Sequence, residues 1–347
     1  MQRCLELARL GAGYVAPNPM VGAVLVHEKR IIGEGWHEQY GEAHAEVNCI
    51  NKTIQNGFED LIHVSTLYVS LEPCTHFGKT PPCSDLIIKN KIPKVVIGCR
   101  DPFKEVDGKG IEKLRNAGID VSLGVLEEEC KELNKRFFTF HTQHRPYVLL
   151  KWAQTNDGFI APAMDAANGN RLLISYEYSN RLVHQWRSEE ASILVGTNTA
   201  LLDDPALTTR LWPGLSPVRL VVDLNLKLPQ SLKLFDQQQR TIVFNTVKHE
   251  EDGGTLYYQL TEDVNIVHQI SNALYQLKIQ SVLVEGGARL LQSFIDAGLW
   301  DEARVITNTQ LEIGTGLKAP FFFADSKTCR QEHLGNDKVV YYKPVLS

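Results

Sequence analysis

GEAHAEV at residues 41–47 and EPCTHFGKTPPC at residues 72–83 decide how the first half of the chain is read. The imidazole of His44 and the thiolates of Cys74 and Cys83 can form a three-donor shell around zinc. That leaves the fourth tetrahedral position for water, which is the catalytic arrangement. Glu46 lies two residues after His44, at the start of the same expected helix, and can move protons without being a ligand. Pro81 and Pro82 set a helix start at Cys83, where free N–H groups and the helix dipole favour a thiolate. Cys74 follows Pro73 directly after strand TLYVSL (66–71). Two strand-to-helix loops thus bring the donors to one end of a sheet, where α/β proteins usually place their sites. A structural zinc site would need a fourth protein ligand, for which His76 is available.

Outward from this core the pattern alternates strand and helix. A helix is expected at 2–11, strands at 21–26 and 31–37 joined by the turn HEKR, and a helix from about His44. After Cys83 come a helix, strand KVVIGC (94–99), helix 109–118, a short strand at 119–123 and helix 126–138. This implies an α/β sheet with helices on both faces. TFHTQHRP (139–146) is polar, and Pro146 disfavours helix at Arg145. Two domains are therefore expected, 1–145 and 146–347, in keeping with a chain of 347 residues. In the second, ASILVG, PVRLVVD, RTIVFN, QSVLVE and EARVIT read as strands of another α/β series. HEEDGGTLYY (249–258) reads as a surface loop.

Net charge is −5, and Lys+Arg stands against Asp+Glu at 18 to 19 in residues 1–145 and 18 to 22 in the rest. Neither half has the basic excess of a nucleic-acid-binding protein, which favours a small-molecule substrate. The seven cysteines are odd in number and scattered, against a secreted disulfide framework. Cys49, Cys99 and Cys130 read as small buried hydrophobes. No apolar run approaches bilayer length, and MQRCLELARLGAGY reads as an amphipathic helix without a secretory signal. A cytoplasmic protein with no membrane partner is expected.

Zinc deaminases carry H-x-E and P-C-x-x-C. Here His44-Ala45-Glu46 matches the first element, while eight residues separate Cys74 from Cys83. That longer loop resembles the PC-x-H-x-G-x-T-P-P-C of bacterial riboflavin-biosynthesis deaminases, as do APNPMVGAVLV (16–26), GEGWH (33–37) and GEAHAEV. The resemblance implies a cytidine-deaminase-like α/β/α domain acting on a diaminohydroxy-pyrimidine that bears a phosphoribosylamino group. It implies zinc on His44, Cys74 and Cys83, Glu46 as proton shuttle, and Asn18, His37 and Lys79 as substrate contacts. Asn18, in a PNP turn, also reads as a turn former.

TNDGFIA (155–161), WRSEEASILVGTNTALLDDPALTTR (186–210) and VEGGARLLQSFIDAGLWDE (284–302) resemble the reductase half of the bifunctional members. This implies a dihydrofolate-reductase-like α/β domain in which NADPH delivers hydride to C1′ of the opened ribose, giving a ribityl chain. By positional match Arg187 and Arg210 would bind substrate phosphate, and Leu207 and Glu285 would complete the substrate site. Ala153, Thr199, Asp203 and the run Gly287, Ala288, Arg289, Leu290, Leu291, Gln292 and Ser293 would contact the cofactor. Lys151 is a further polar candidate. Arg187 could instead complement a helix dipole, and Asp203 and Asp204 could only turn the chain before Pro205. The chain departs from the family at GNRLLIS (169–175), where Leu173 replaces a tryptophan, and at Leu224, where serine is common. No G-x-G-x-x-G follows a strand. A nucleobase or tRNA deaminase with an accessory domain, and a structural zinc protein, are the competing readings. A homo-oligomer through an apolar reductase edge strand is also expected.

Overall fold

The computed structural model describes residues 1–75, 81–163, 172–322 and 326–345. Two compact units divide the chain, Met1–His144 and Arg145–Ser347.

In the first unit, α1 (Gln2–Arg9) precedes the hairpin β1 (Gly22–His27) and β2 (Arg30–Trp36), followed by α2 (Ala45–Gln55) and a 3-10 helix at Glu59–Val64. Then come β3 (Thr66–Leu71), α3 (Cys83–Lys89), β4 (Lys94–Cys99), α4 (Lys109–Asn116), β5 (Asp120–Leu123), α5 (Glu127–Leu133) and α6 (Lys135–Gln143). The sheet order is β2-β1-β3-β4-β5, antiparallel at β2-β1-β3 and parallel at β3-β4-β5. One face packs Ala45, Cys49, Ile87 and Leu114 of α2, α3 and α4 against Leu25, Val69 and Ile97. The other packs Leu5 of α1 and Cys130 of α5 against Leu71 and Cys99. The expected three-layer arrangement is therefore present, and Cys49, Cys99 and Cys130 are fully buried.

Residues 126–138 are not one helix. Asn134 breaks the run between α5 and α6 and spends its side chain on a distant loop: Met20 N–H donates to Oδ1 at 2.8 Å and Nδ2 donates to the Met20 carbonyl at 2.9 Å. That clamp holds the segment carrying Asn18.

The second unit runs β6 (Tyr147–Thr155), β7 (Phe159–Pro162), α7 (Glu177–Glu189), β8 (Ser192–Gly196), α8 (Thr197–Asp203), β9 (Val218–Val222), β10 (Thr241–Asn245), β11 (Glu250–Asp252) and β12 (Thr255–Gln259). It continues with α9 (Ile266–Gln276), β13 (Ser281–Val284), α10 (Ala288–Asp296), β14 (Glu302–Asn308), β15 (Gly316–Lys318), β16 (Ser326–Leu334) and β17 (Asp337–Pro344). Ten strands form one sheet, β11-β12-β10-β9-β8-β13-β6-β14-β17-β16, parallel from β12 to β14. β7 and β15 pair separately. The parallel strands are apolar on both faces, with α9 and α10 packed on one of them.

Residues 249–258 are a hairpin and not a loop, because Thr255, Leu256 and Tyr257 of β12 are buried and extend the sheet beside β10. The sheet edges also differ from expectation. β11 is EED and β16 is SKTCRQEHL, largely exposed and polar, so neither is an apolar pairing edge.

Helix α2 approaches β2 so closely that a Cβ at Gly35 would lie 2.3 Å from the Cys49 nitrogen and 2.6 Å from the Ala45 carbonyl. Gly35→Ala should therefore displace α2 and cost about 1–3 kcal/mol. Urea unfolding checks this, and an unchanged midpoint would contradict it.

Candidate active sites

His44 is the N-cap of α2, with extended backbone, so its ring turns back over the sheet end while Glu46 enters the first helical turn. Cys74 leaves the end of β3, and Cys83 opens α3. His44 Nδ1 lies 3.6 Å from Cys74 Sγ and 3.4 Å from Cys83 Sγ. Zinc bonds of about 2.3 Å to sulfur and about 2.0–2.1 Å to nitrogen, at the tetrahedral angle, set that edge at about 3.5 Å. The donor atoms fit the ion. Among the described residues these three form the one such His, Cys, Asp or Glu group.

The Cys83 N–H donates to Cys74 Sγ at 3.4 Å. The neighbouring Cys83 thiol and then His44 lower the Cys74 thiol below the ordinary thiol range, against the cost of burial. The contact with Cys74, with burial, raises Cys83. Cys83 opens α3, where the free N–H groups of the helix start lie beside it. Glu46 is buried beside them, within hydrogen-bonding reach of the Cys83 thiol. Burial first, and the Cys74 charge second, raise its carboxyl above the ordinary range. A carboxylate in that setting takes up a proton readily.

Asn18 and His37 meet at this end of the sheet. His37 Nδ1–H donates to the Ala43 carbonyl at 3.0 Å, which leaves Nε2 as acceptor for Asn18 Nδ2 at 3.1 Å. Burial lowers the His37 pKa and keeps the ring neutral. The Asn18 amide is thereby oriented with its oxygen available to accept a hydrogen bond. The His37 and His44 rings stand edge to face at 5.3 Å. Lys79 and His76 lie outside the described residues.

In the second unit, the parallel strands bring a second cluster together. Arg187 Nε and Nη2 donate to the two oxygens of Glu285 at 2.8 and 2.6 Å, and Nη1 donates to the Thr208 carbonyl at 3.3 Å. Lys151 Nζ stands 3.9 Å from the same carboxylate. Against the cost of burial, Arg187 and then Lys151 lower the Glu285 pKa to about 2. Arg210 is exposed and its Nη1 donates to Thr208 Oγ1. Leu207 is only 2% exposed and has φ +51°, so what it can offer a ligand is backbone. Arg219, fully buried, donates to the carbonyl of Ala206 beside it and pairs with Asp236.

The turn Gly286–Gly287 precedes α10, and Gly287 has φ +80°. Thr199 of α8 lies against it: a Cβ at Gly286 would meet the Thr199 methyl at 2.8 Å. The backbone N–H groups that open α10 can bind an anion there. Farther along, Leu291 is buried in the core, while half-buried Gln292 bonds Asp296 and half-buried Ser293 bonds the Arg289 carbonyl. Ala153 lies on β6 and Asp203 closes α8. Asp204 is a structural turn residue bonded to Lys233.

The residues that sequence reasoning missed act on backbone groups: Glu72, Asn134 and His184. His184 Nδ1 accepts the Arg210 N–H at 3.0 Å.

A His-Cys-Cys group that can hold zinc beside a buried glutamate, on a sheet covered by helices, followed by a parallel-sheet unit with a glycine turn, is the arrangement of a zinc deaminase joined to a nucleotide-dependent reductase. Residues 1–99 match the cytidine and deoxycytidylate deaminase zinc-binding region, and residues 146–316 the RibD C-terminal domain. The chain is 40% identical to the riboflavin biosynthesis protein RibD of Aquifex aeolicus, over 99% of this chain and 97% of that one. To the Escherichia coli RibD it is 33% identical, over 87% and 84%. The crystal structure of a diaminohydroxyphosphoribosylaminopyrimidine deaminase/5-amino-6-(5-phosphoribosylamino)uracil reductase from Thermotoga maritima superposes with a TM-score of 0.88 at 40% identity, covering 99% of this chain and 97% of that one. The chain belongs to the RibD family of bifunctional riboflavin-biosynthesis enzymes. It is a zinc-dependent deaminase and an NADPH-dependent reductase.

His184 accepts from Arg210 only as the neutral imidazole. Burial, then the charges of Arg187 and Arg210, lower its pKa to about 4. The unfolded chain takes the proton first, near pH 6.5, so this site loses stability as pH falls from about 6.5 towards about 4. His184→Gln, which still offers an acceptor, should flatten that fall in urea midpoints measured at pH 7 and pH 5. Parallel losses in both proteins would contradict it.

Proposed function

We propose that residues 1–145 carry out the deamination and residues 146–347 the reduction, with separate sets of residues. In the first, His44, Cys74 and Cys83 hold zinc. When bound, zinc acts as a Lewis acid that makes water nucleophilic near neutral pH. Glu46 takes the proton of that water and passes it to the departing amino nitrogen, the work its raised pKa suits. Asn18, fixed by His37, accepts from a ring N–H, and Lys79 meets the substrate phosphate. The observation that carries this reading is the 3.4–3.6 Å triad with Glu46 buried at its side.

In the second, Arg210 grips the substrate phosphate with a guanidinium open to solvent. Arg187 donates through Nε and Nη2 to Glu285 and through one Nη1 hydrogen to the Thr208 carbonyl, and its second Nη1 hydrogen shares in the phosphate contact. Glu285, kept ionised by Arg187 and Lys151, and the Leu207 backbone orient the opened sugar. The N-terminus of α10 at Gly287, Ala288, Arg289 and Leu290, with Thr199, Asp203 and Ala153, receives NADPH. Leu291, Gln292 and Ser293 complete that cofactor-contacting run. The substrate is a small phosphorylated pyrimidine and not nucleic acid.

Among the described residues no helix is long and apolar enough to cross a membrane. With seven unpaired cysteines the chain suits a reducing cytoplasm.

Glu46→Gln should cut ammonia release from the phosphoribosylamino-pyrimidine by about 10²–10⁴-fold. NADPH oxidation on already deaminated substrate should stay near the wild-type rate. Measured separately, equal loss of both would overturn the assignment to independent sites.

A further inference from the structure

We infer that Glu72 is a positioning residue for the zinc ligand Cys74. Its carboxylate is 4% exposed, two residues before that cysteine. Four backbone N–H groups converge on it. Asp101 and Gly108 donate to Oε2 at 3.2 and 3.0 Å, and Gly110 and Ile111 donate to Oε1 at 2.9 and 3.1 Å. Among the described residues no lysine or arginine pairs with it; the start of α4 and the loop after β4 supply its whole solvation. A buried carboxylate needs such donors, and each charge-assisted bond is worth more than a neutral one.

The clamp reaches Cys74 through one residue. The Glu72 N–H is itself bonded to the Cys99 carbonyl at 3.0 Å, so backbone and side chain are both fixed. Gly110 packs on the intervening Pro73: a Cβ there would lie 2.2 Å from the Pro73 carbonyl oxygen. Downstream, the Cys74 carbonyl accepts from Ser84 N–H at 3.1 Å. Cys74 is thus tied on one side to α3, which carries Cys83, and on the other, through Glu72, to α4. Nothing in the ligand set itself fixes the second side. The amide of glutamine has one acceptor oxygen and would set an NH2 against two backbone N–H groups, so four donors specify a carboxylate.

This inference rests on Cys74 being a ligand, and the test separates the two claims. Full-length protein is stripped with a chelator, reloaded with cobalt(II) or zinc, and read by the cobalt–thiolate absorption and by zinc competition against a chromophoric chelator. NADPH-linked reduction in the same molecule reports the integrity of the second unit. Glu72→Gln should weaken zinc binding by about 10–100-fold and shift the cobalt band, with the reductase rate unchanged. Gly110→Ala, which keeps a helix-compatible residue but pushes on Pro73, should move both readouts the same way. It decides the matter if Glu72→Gln does not fold. Loss of zinc in Cys74→Ser, together with wild-type affinity and spectrum in Glu72→Gln and Gly110→Ala, would overturn the inference alone. Zinc retained by Cys74→Ser would instead overturn the ligand reading.

Discussion

One imidazole nitrogen and two sulfurs, held 3.4 and 3.6 Å apart on three different elements, are the constraint that the N-terminal unit is built to satisfy. Each donor depends on a different piece of backbone chemistry. His44 is placed by the cap of α2, and α2 by its glycine-lined approach to β2. Cys83 is placed by the start of α3, and Cys74 by the exit from β3. Metal ligands bind as thiolates, so the buried, closely placed Cys74 and Cys83 pair suits a cation between them. Glu46 is raised by the same burial, which links metal binding to proton transfer in one small volume.

The second unit solves a different problem. Glu285 is buried, with Arg187 and Lys151 beside it, and the neighbouring loop from Ala206 to Arg210 is held at three points. Arg219 holds the Ala206 carbonyl, Arg187 the Thr208 carbonyl and His184 the Arg210 N–H. These main-chain bonds fix the backbone of the loop up to Arg210.

Much of this was legible in the sequence where the signal is local. His44, Glu46, Cys74 and Cys83 stand out by residue type and spacing, and the apolar strands VGAVLV, TLYVSL, KVVIGC and SVLVE carry their own pattern. What stayed hidden depends on distant backbone. Glu72 carries no local signal, since its partners lie 29–39 residues away. Asn134 looked like a helical residue because its two bonds go to Met20, 114 positions upstream. That Arg187 pairs with Glu285 is not legible locally, since the two lie 98 positions apart. β16 escaped notice because an exposed antiparallel edge has no apolar alternation to read, and β12 because its buried face is completed only by β10.

X-ray absorption at the zinc edge of the purified full-length protein tests the ligand geometry most directly. Two sulfurs at about 2.3 Å with two nitrogen or oxygen neighbours at about 2.0–2.1 Å, only one of them giving the outer-shell scattering of an imidazole, is the result expected of an open three-donor site. A shell of two sulfurs and two imidazoles, or of three or more sulfurs, would show a closed or different ligand set and contradict the account.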